Sequence, residues 1–297
     1  MTLALPFQRW RVPMSGLVAA LMMILLLGTP QGRGTAAQFL VQFRGEQLAA
    51  VSLSTGQIAN IGETLAELEQ LGTVHGMDTA PEMHSVASIA EASQFVGFLV
   101  LQPDAATLPA DISSTPTAIR VVPAHGLRFT VDREKARAYY QSMGRDNVSL
   151  PDRFDGASLV VNTPAGVLLE YRSADQAMSE PSGFGLVIGQ AGAITAGTEG
   201  DVTLEELRDF LLELPGLSPE TAQQLRAIDD WRTTLPIPIP AEQIAWERAT
   251  IAGSPGLLLN DNTGLDSAAI WQRDGRFYGI AGAMKAREIQ RVADTLR

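Results

Sequence analysis

Residues able to carry covalent or metal chemistry are few in this chain and are not placed to cooperate. There is no cysteine, so disulfides, thiolate metal sites and a cysteine nucleophile are excluded. The three histidines are His75, His84 and His125, and none belongs to an H-E-x-x-H pair that would set two imidazoles on one helix face for zinc. His75 and His84 are close enough in sequence to meet, but isolated loop histidines are more often solvated or capping groups. No G-x-S-x-G occurs, and neither Lys135 nor Lys285 follows a serine by three residues, so the commoner serine-nucleophile signatures are missing. Asp152 with Asp155, or Asp229 with Asp230, could be imagined as an acid–base pair, but nothing in the sequence puts either in a cleft and surface turns are the expected reading. Gly183, Gly185 and Gly189 do not follow the G-x-G-x-x-G spacing of a dinucleotide loop and read as a strand with permissive ends. Asn260 to Asp266, "NDNTGLD", is rich in oxygen ligands like a calcium loop. It departs from the EF-hand pattern because Leu265 follows Gly264 and no glutamate closes it, so an inter-strand turn is expected. The sequence therefore assigns no catalytic, cofactor-binding or metal-binding residue, and the expectation is a protein that is not an enzyme.

Nucleic acid is the next class to weigh. "LLELPGLSPETAQQLRAI", Leu211 to Ile228, has the outline of a helix-hairpin-helix, in which a glycine hairpin offers backbone N–H groups to phosphates. Ser218 stands where the second hairpin glycine belongs, and Glu205, Glu206, Asp209, Glu213 and Glu220 surround the segment. The net charge is −11, with +3 on residues 1–33 and the remainder on the rest of the chain. Such a surface repels phosphate, and no nucleic-acid partner is expected. The segment reads instead as a helical hairpin over 204–228, with Leu204, Leu207, Leu211 and Leu214 on one stripe and Ala222, Leu225 and Ile228 on another.

Membrane targeting is the strongest signal. Arg11 and Arg33 bracket 21 uncharged residues whose most apolar part is "LVAALMMILLL", Leu17 to Leu27. From Val12 to Pro30 a helix would measure about 28 Å, just short of a bilayer core of ~30 Å. The same stretch also fits a signal peptide cleaved near Ala36-Ala37. Either way the arginines stay in the cytoplasm and the chain after about residue 35 is exported.

Periodicity sketches the exported part. "AAQFLVQFRGEQLAAVSL" starts with helical spacing and turns to strand at Ala49–Leu53, and "GETLAELEQLG" predicts a short helix stopped by Gly72. Helices are predicted over Val86–Val96 and up to Gly144, with strand-like runs on either side of Pro123–Gly126. "FDGASLVVNTPAGVLLEYRS" predicts a hairpin with strands Ser158–Asn162 and Val167–Arg172. "FGLVIGQAG" predicts a further strand. Pro236, Pro238 and Pro240 alternate, which excludes a central strand and leaves an extended edge or connector. Strands at "IAWERATI", "GLLLND" and "SAAIWQRDGRFYGIAG" follow, the last turning at Asp274-Gly275, and a final helix buries Ile289, Val292, Ala293 and Leu296. The expected class is α+β, a largely antiparallel sheet with packed helices behind one N-terminal transmembrane or signal-anchor helix. The expected divisions are 1–35, stub and anchor; 36–235, an α+β region; and 236–297, a strand-strand-helix unit of the same domain.

Trp271, the Asp274-Gly275 turn, Tyr278 and the helix reaching Leu296 resemble the C-terminal domain of bacterial membrane-anchored anti-sigma-factor-like proteins, a domain of unknown function. The stretch "AAQFLVQFRGEQ" after the apolar span is also similar to such proteins. Sigma-binding members carry a cytoplasmic N-terminal domain, whereas here about 11 residues without cysteine or histidine precede the span. The resemblance thus implies a non-catalytic extracytoplasmic sensory or regulatory module in a single-pass membrane protein, acting through a separate envelope partner. The alternative is a secreted binding protein for an apolar ligand such as a lipid.

Overall fold

The computed structural model describes residues 43–59, 68–76, 81–145, 150–172, 184–213 and 217–297. The apolar span at Leu17–Leu27 lies outside them, and among the described residues no helix is long and apolar enough to cross a membrane. In chain order the strands and helices are β1 (Phe43–Arg44), β2 (Gln47–Leu53), α1 (Thr55–Ala59), β3 (Gly72–His75), β4 (His84–Ser85), α2 (Ile89–Val96), β5 (Ala118–Val122) and β6 (His125–Val131). They continue as α3 (Arg133–Ser142), β7 (Ser158–Thr163), β8 (Gly166–Arg172), β9 (Phe184–Gly192), β10 (Thr195–Glu199), α4 (Leu204–Leu211) and α5 (Pro219–Arg226). The chain ends with β11 (Thr234–Pro240), β12 (Ile244–Ile251), β13 (Ser254–Asp261), β14 (Ser267–Arg273), β15 (Arg276–Gly282) and α6 (Ala286–Ala293).

An eight-stranded sheet, ordered β12-β13-β14-β15-β9-β8-β5-β4, meets a five-stranded sheet, β1-β10-β7-β6-β3. All of their pairings are antiparallel, so the fold is α+β. Three long strands belong to both sheets. β5 runs into β6 through Pro123-Ala124, β7 into β8 through Pro164-Ala165, and β9 into β10 through Ala193-Ile194. Proline has no N–H to donate, so the ladder is interrupted at two neighbouring corners and the strands bend there. Gly192 leaves room for the bend, since a Cβ on it would lie 2.8 Å from Pro164 Cβ.

This corrects the expected hairpin at 158–172. Both strands form where they were expected, but they do not pair with each other: β7 pairs with β6 and β10, and β8 with β5 and β9. Thr163-Pro164-Ala165-Gly166 has turn chemistry, and turn chemistry serves a corner as well as a reversal. The helix ahead of Gly72 is seen over residues 68–71, and Gly72 is itself the first residue of β3. There Thr130 O would lie 2.0 Å from an added Cβ, so close strand contact, not a helix stop, requires the glycine.

The C-terminal strands form the meander that the sequence implies. Asp274 (φ 52°) and Gly275 (φ 70°) turn β14 into β15, and Ala252 (φ 49°) and Gly253 (φ 77°) do the same between β12 and β13. Two consecutive positive φ values suit the twist of a two-residue hairpin. β15 then pairs with β9, which makes the C-terminal strands part of the same sheet as the earlier ones. One face of that sheet carries Trp271 stacked on Tyr278 at 5.4 Å, covered by Ile289 and Val292 of α6 and by Leu296 just past its end. Those three are 5% exposed or less, as their spacing required. On the opposite face lies a parallel two-stranded ribbon, β2 with β11, whose Ile237 and Ile239 pack on Leu257, Leu259 and Ile270. α3 and α4 close a separate core against the five-stranded sheet, with Tyr140, Phe154, Leu207 and Phe210 inside.

Candidate functional site

The alternating prolines decide how the ribbon can be used. Gln47 N donates to Thr233 O at one end of the ribbon and Ala241 N to Leu53 O at the other, both at 2.9 Å. Backbone groups alternate in direction along a strand. The odd-numbered residues of β2 and β11 therefore bond each other, and the even-numbered ones face outward. On β11 three of those outward residues are Pro236, Pro238 and Pro240, so that edge has lost most of its donors. On β2 they are Leu48, Ala50 and Ser52.

Glutamine side chains close this second edge at both ends. Gln224 of α5 meets Ser52 at two points: Ser52 N donates to Gln224 Oε1 at 2.8 Å, and Gln224 Nε2 donates to Ser52 O at 3.1 Å. At the other end Gln272, with its carboxamide nitrogen toward the ribbon, donates to Glu46 O at 3.2 Å and accepts from Gly275 N at 3.0 Å. Between them the outward N–H and C=O groups of Leu48 and Ala50 have no hydrogen-bond partner among the described residues. Gln190 uses the same two-point match to hold Leu101, with bonds of 2.9 and 2.7 Å.

The open edge looks into a groove of about 1,070 Å³, at the upper end of the ~300–1,000 Å³ typical of ligand sites. β12 supplies its floor through Trp246, Arg248 and Thr250, alternate residues on one strand face. Trp246 is 37% exposed. Arg248 is exposed and has no carboxylate partner among the described residues. Glu46, Asp229, Asp230 and Asp274 stand on the rim. Asp230 is already engaged: its carboxylate accepts from Arg232 N and Thr233 Oγ1, and the Thr233 bond leads the interactions that hold its pKa below the usual value.

The residues considered for chemistry lie elsewhere. His75 and His84 are exposed and sit on different sheets, at the edge strands β3 and β4. His125 is buried at a corner. Arg133 ties Asp152 and Asp155 into the start of α3, by a 2.7 Å ion pair to the first and a 3.1 Å backbone bond to the second. Asp261 organises its own turn, accepting from Leu265 N and Asp266 N at 3.0 and 3.2 Å and from Thr263 Oγ1. Burial raises its pKa, but these hydrogen bonds together outweigh that and lower it. Gly185 and Gly189 lie within β9, and Gly183 falls outside the described residues. Of the expected helical hairpin, α4 and α5 form, but Ile228 lies past the end of α5, only Ala222 of the second stripe is buried, and Phe210 joins Leu207 as a buried anchor that the leucine pattern had not included. Its turn at 214–216 lies outside the described residues. An apolar cavity between ribbon and sheet, beside Leu235, Ile237, Ile270 and Phe277, measures about 40 Å³. That is an order of magnitude below ~300 Å³, the lower end for small-molecule sites.

Comparison with protein-family models, curated proteins and solved structures gave no match.

Proposed function

We propose that the chain is a single-pass membrane protein whose exported α+β domain is a non-catalytic sensory or regulatory module of envelope signalling, acting through a partner protein. The observation that carries this reading is the groove. Inside a rim of carboxylates it combines open backbone amides with an exposed tryptophan and with Arg248, which has no carboxylate partner among the described residues, and such a combination suits recognition. The basic, apolar, basic pattern of residues 9–33 supports the anchor. The signalling context is suggested only by the resemblance read from Trp271, the Asp274-Gly275 turn, Tyr278 and the segment reaching Leu296. The alternative, a secreted carrier of an apolar ligand, would need more apolar space than the 40 Å³ under the ribbon.

The test is the transcriptome of bacteria lacking this chain, complemented either by the chain itself or by a version whose anchor is exchanged for a cleaved signal peptide. The regulatory reading predicts a coherent shift in envelope-stress transcripts that only the anchored form reverses. An unchanged transcriptome contradicts it, and so does full rescue by the secreted form.

A further inference from the structure

Resting on the reading of the domain as a partner-binding module, we infer that the free edge of β2 accepts one extended segment of the partner, which adds a third strand to the ribbon and places an aliphatic side chain on Trp246 and a carboxylate on Arg248. The edge, the floor beneath it and the neighbouring edges together specify this occupant. Among the described residues the open edge keeps unpaired donors and acceptors at Leu48 and Ala50, because Gln272 holds Glu46 O and Gln224 holds Ser52. Gln224 presents to Ser52 the same N–H and C=O pair that a peptide bond would present, so the edge is already paired by an amide at its next position. Main-chain bonds at two such residues are the standard means by which a segment is recognised at a sheet edge.

The floor supplies the side-chain requirement. Leu48 and Ala50 pack their side chains down onto the core under the ribbon. Side chains of an added strand that lie level with them point down as well, toward β12. Residues two apart on that strand are about 6.8 Å apart, the same spacing as Trp246 and Arg248 on β12. Trp246 offers an apolar surface that is still 37% exposed. Arg248 has no carboxylate partner among the described residues, so beside it a carboxylate gains a local pair and a lysine meets a like charge. The rim carboxylates Glu46, Asp229, Asp230 and Asp274 and the net charge of −11 oppose acidic residues elsewhere on the segment, which confines the carboxylate to this one position.

The neighbouring edges are protected. The outward edge of β11 carries three prolines. The outer edge of β12 is met by Gln290 Nε2, which donates to Thr250 O at 2.8 Å, and exposes Glu247 and Arg248, charges of the kind that discourage strand pairing. Between Gln47 and Ser52, β2 has no charge at all.

The test uses the full chain in detergent and the acetylated, amidated heptapeptide Thr-Leu-Thr-Leu-Thr-Glu-Thr, made in both residue orders. Binding is read by titration calorimetry and by tryptophan emission, with Trp246→Phe assigning the optical signal. One order is expected to bind and to shift the Trp246 emission to shorter wavelength. Exchanging its Glu for Lys should weaken binding about tenfold, and Arg248→Glu should reverse that preference. N-methylation of single peptide amides keeps the protein native. It should weaken binding about tenfold at the alternate positions that face β2 and leave the positions between them within about twofold. Failure of both orders to bind overturns the inference, as do equal effects of N-methylation at both sets of positions. Dimerisation of the chain that Ala50→Pro abolishes would make the occupant a second copy and overturn it too. None of these readings depends on membrane topology or transcription, so the strand-addition inference can fail while the regulatory reading stands.

Discussion

His125 marks the corner where β5 becomes β6. Its Nδ1 lies 3.2 Å from the carbonyl oxygen of Pro123, and its Nε2 is buried without a partner among the described residues. Burial lowers its pKa below 6.5, more than the Pro123 contact raises it. The unfolded chain then takes up this proton more readily than the folded one, so the stabilisation is complete above about pH 6.5 and is lost as pH falls from there toward the folded value. Thermal midpoints measured from pH 8 to pH 5 should fall across that window, and His125→Gln should remove part of the fall. Parallel curves for the two proteins would contradict this account of the corner. Glu199, whose pKa is lowered mainly by its hydrogen bond from Arg128, loses its contribution at more acid pH and does not blur the histidine window. At this scale the sequence was a fair guide to what is ordinary: Asp152, Asp155 and Asp261 do the turn and capping work their neighbours implied. It could not reveal His125 as buried, because no local pattern distinguishes a corner from a loop.

At the scale of elements, α6 offers the plainest measurement. Val292 is fully buried against the sheet that carries Trp271 and Tyr278. Val292→Asp places an unpaired charge there and should cost more than about 3 kcal/mol, out of the ~5–15 kcal/mol that holds a typical domain together. Val292→Ala should cost less. Chemical denaturation of both variants checks the order, and equal, small losses would show that the helix is not part of the core. This element was legible because Ile289, Val292 and Leu296 share a helical stripe and the strands before it have turn residues with positive φ. The pairing of β7 and β8 was not, because pairing is decided by which strands lie alongside, and β6 and β10 compete for the same edges. Strand β10, "TAGTE", carries too little apolar character to stand out. The three prolines were read correctly as forbidding a central strand. Their consequence, one sealed ribbon edge and one open edge, needed the partner strand β2, some 190 residues earlier.

For the whole molecule, the proposed function rests on the groove and on the proposed anchor. The groove draws on β2, α5 and β12–β14, regions far apart in sequence, so nothing local in the chain announced it. The proposed anchor is the reverse case: its arginine-flanked apolar pattern is plain in the sequence, and it lies outside the described residues. The central claim is that an anchored domain displays the groove outside the cytoplasmic membrane. A chain without cysteine allows a direct measurement. Leu265, which is 71% exposed on a turn, is changed to Cys, and spheroplasts are treated with a membrane-impermeant maleimide. The account predicts labelling in intact spheroplasts of a full-length chain that sediments with the membranes. It also predicts that Thr2→Cys is labelled only after lysis. Protection of Leu265→Cys until lysis would contradict the export, and a labelled chain released in soluble form with its N-terminus near Ala37 would contradict the anchor.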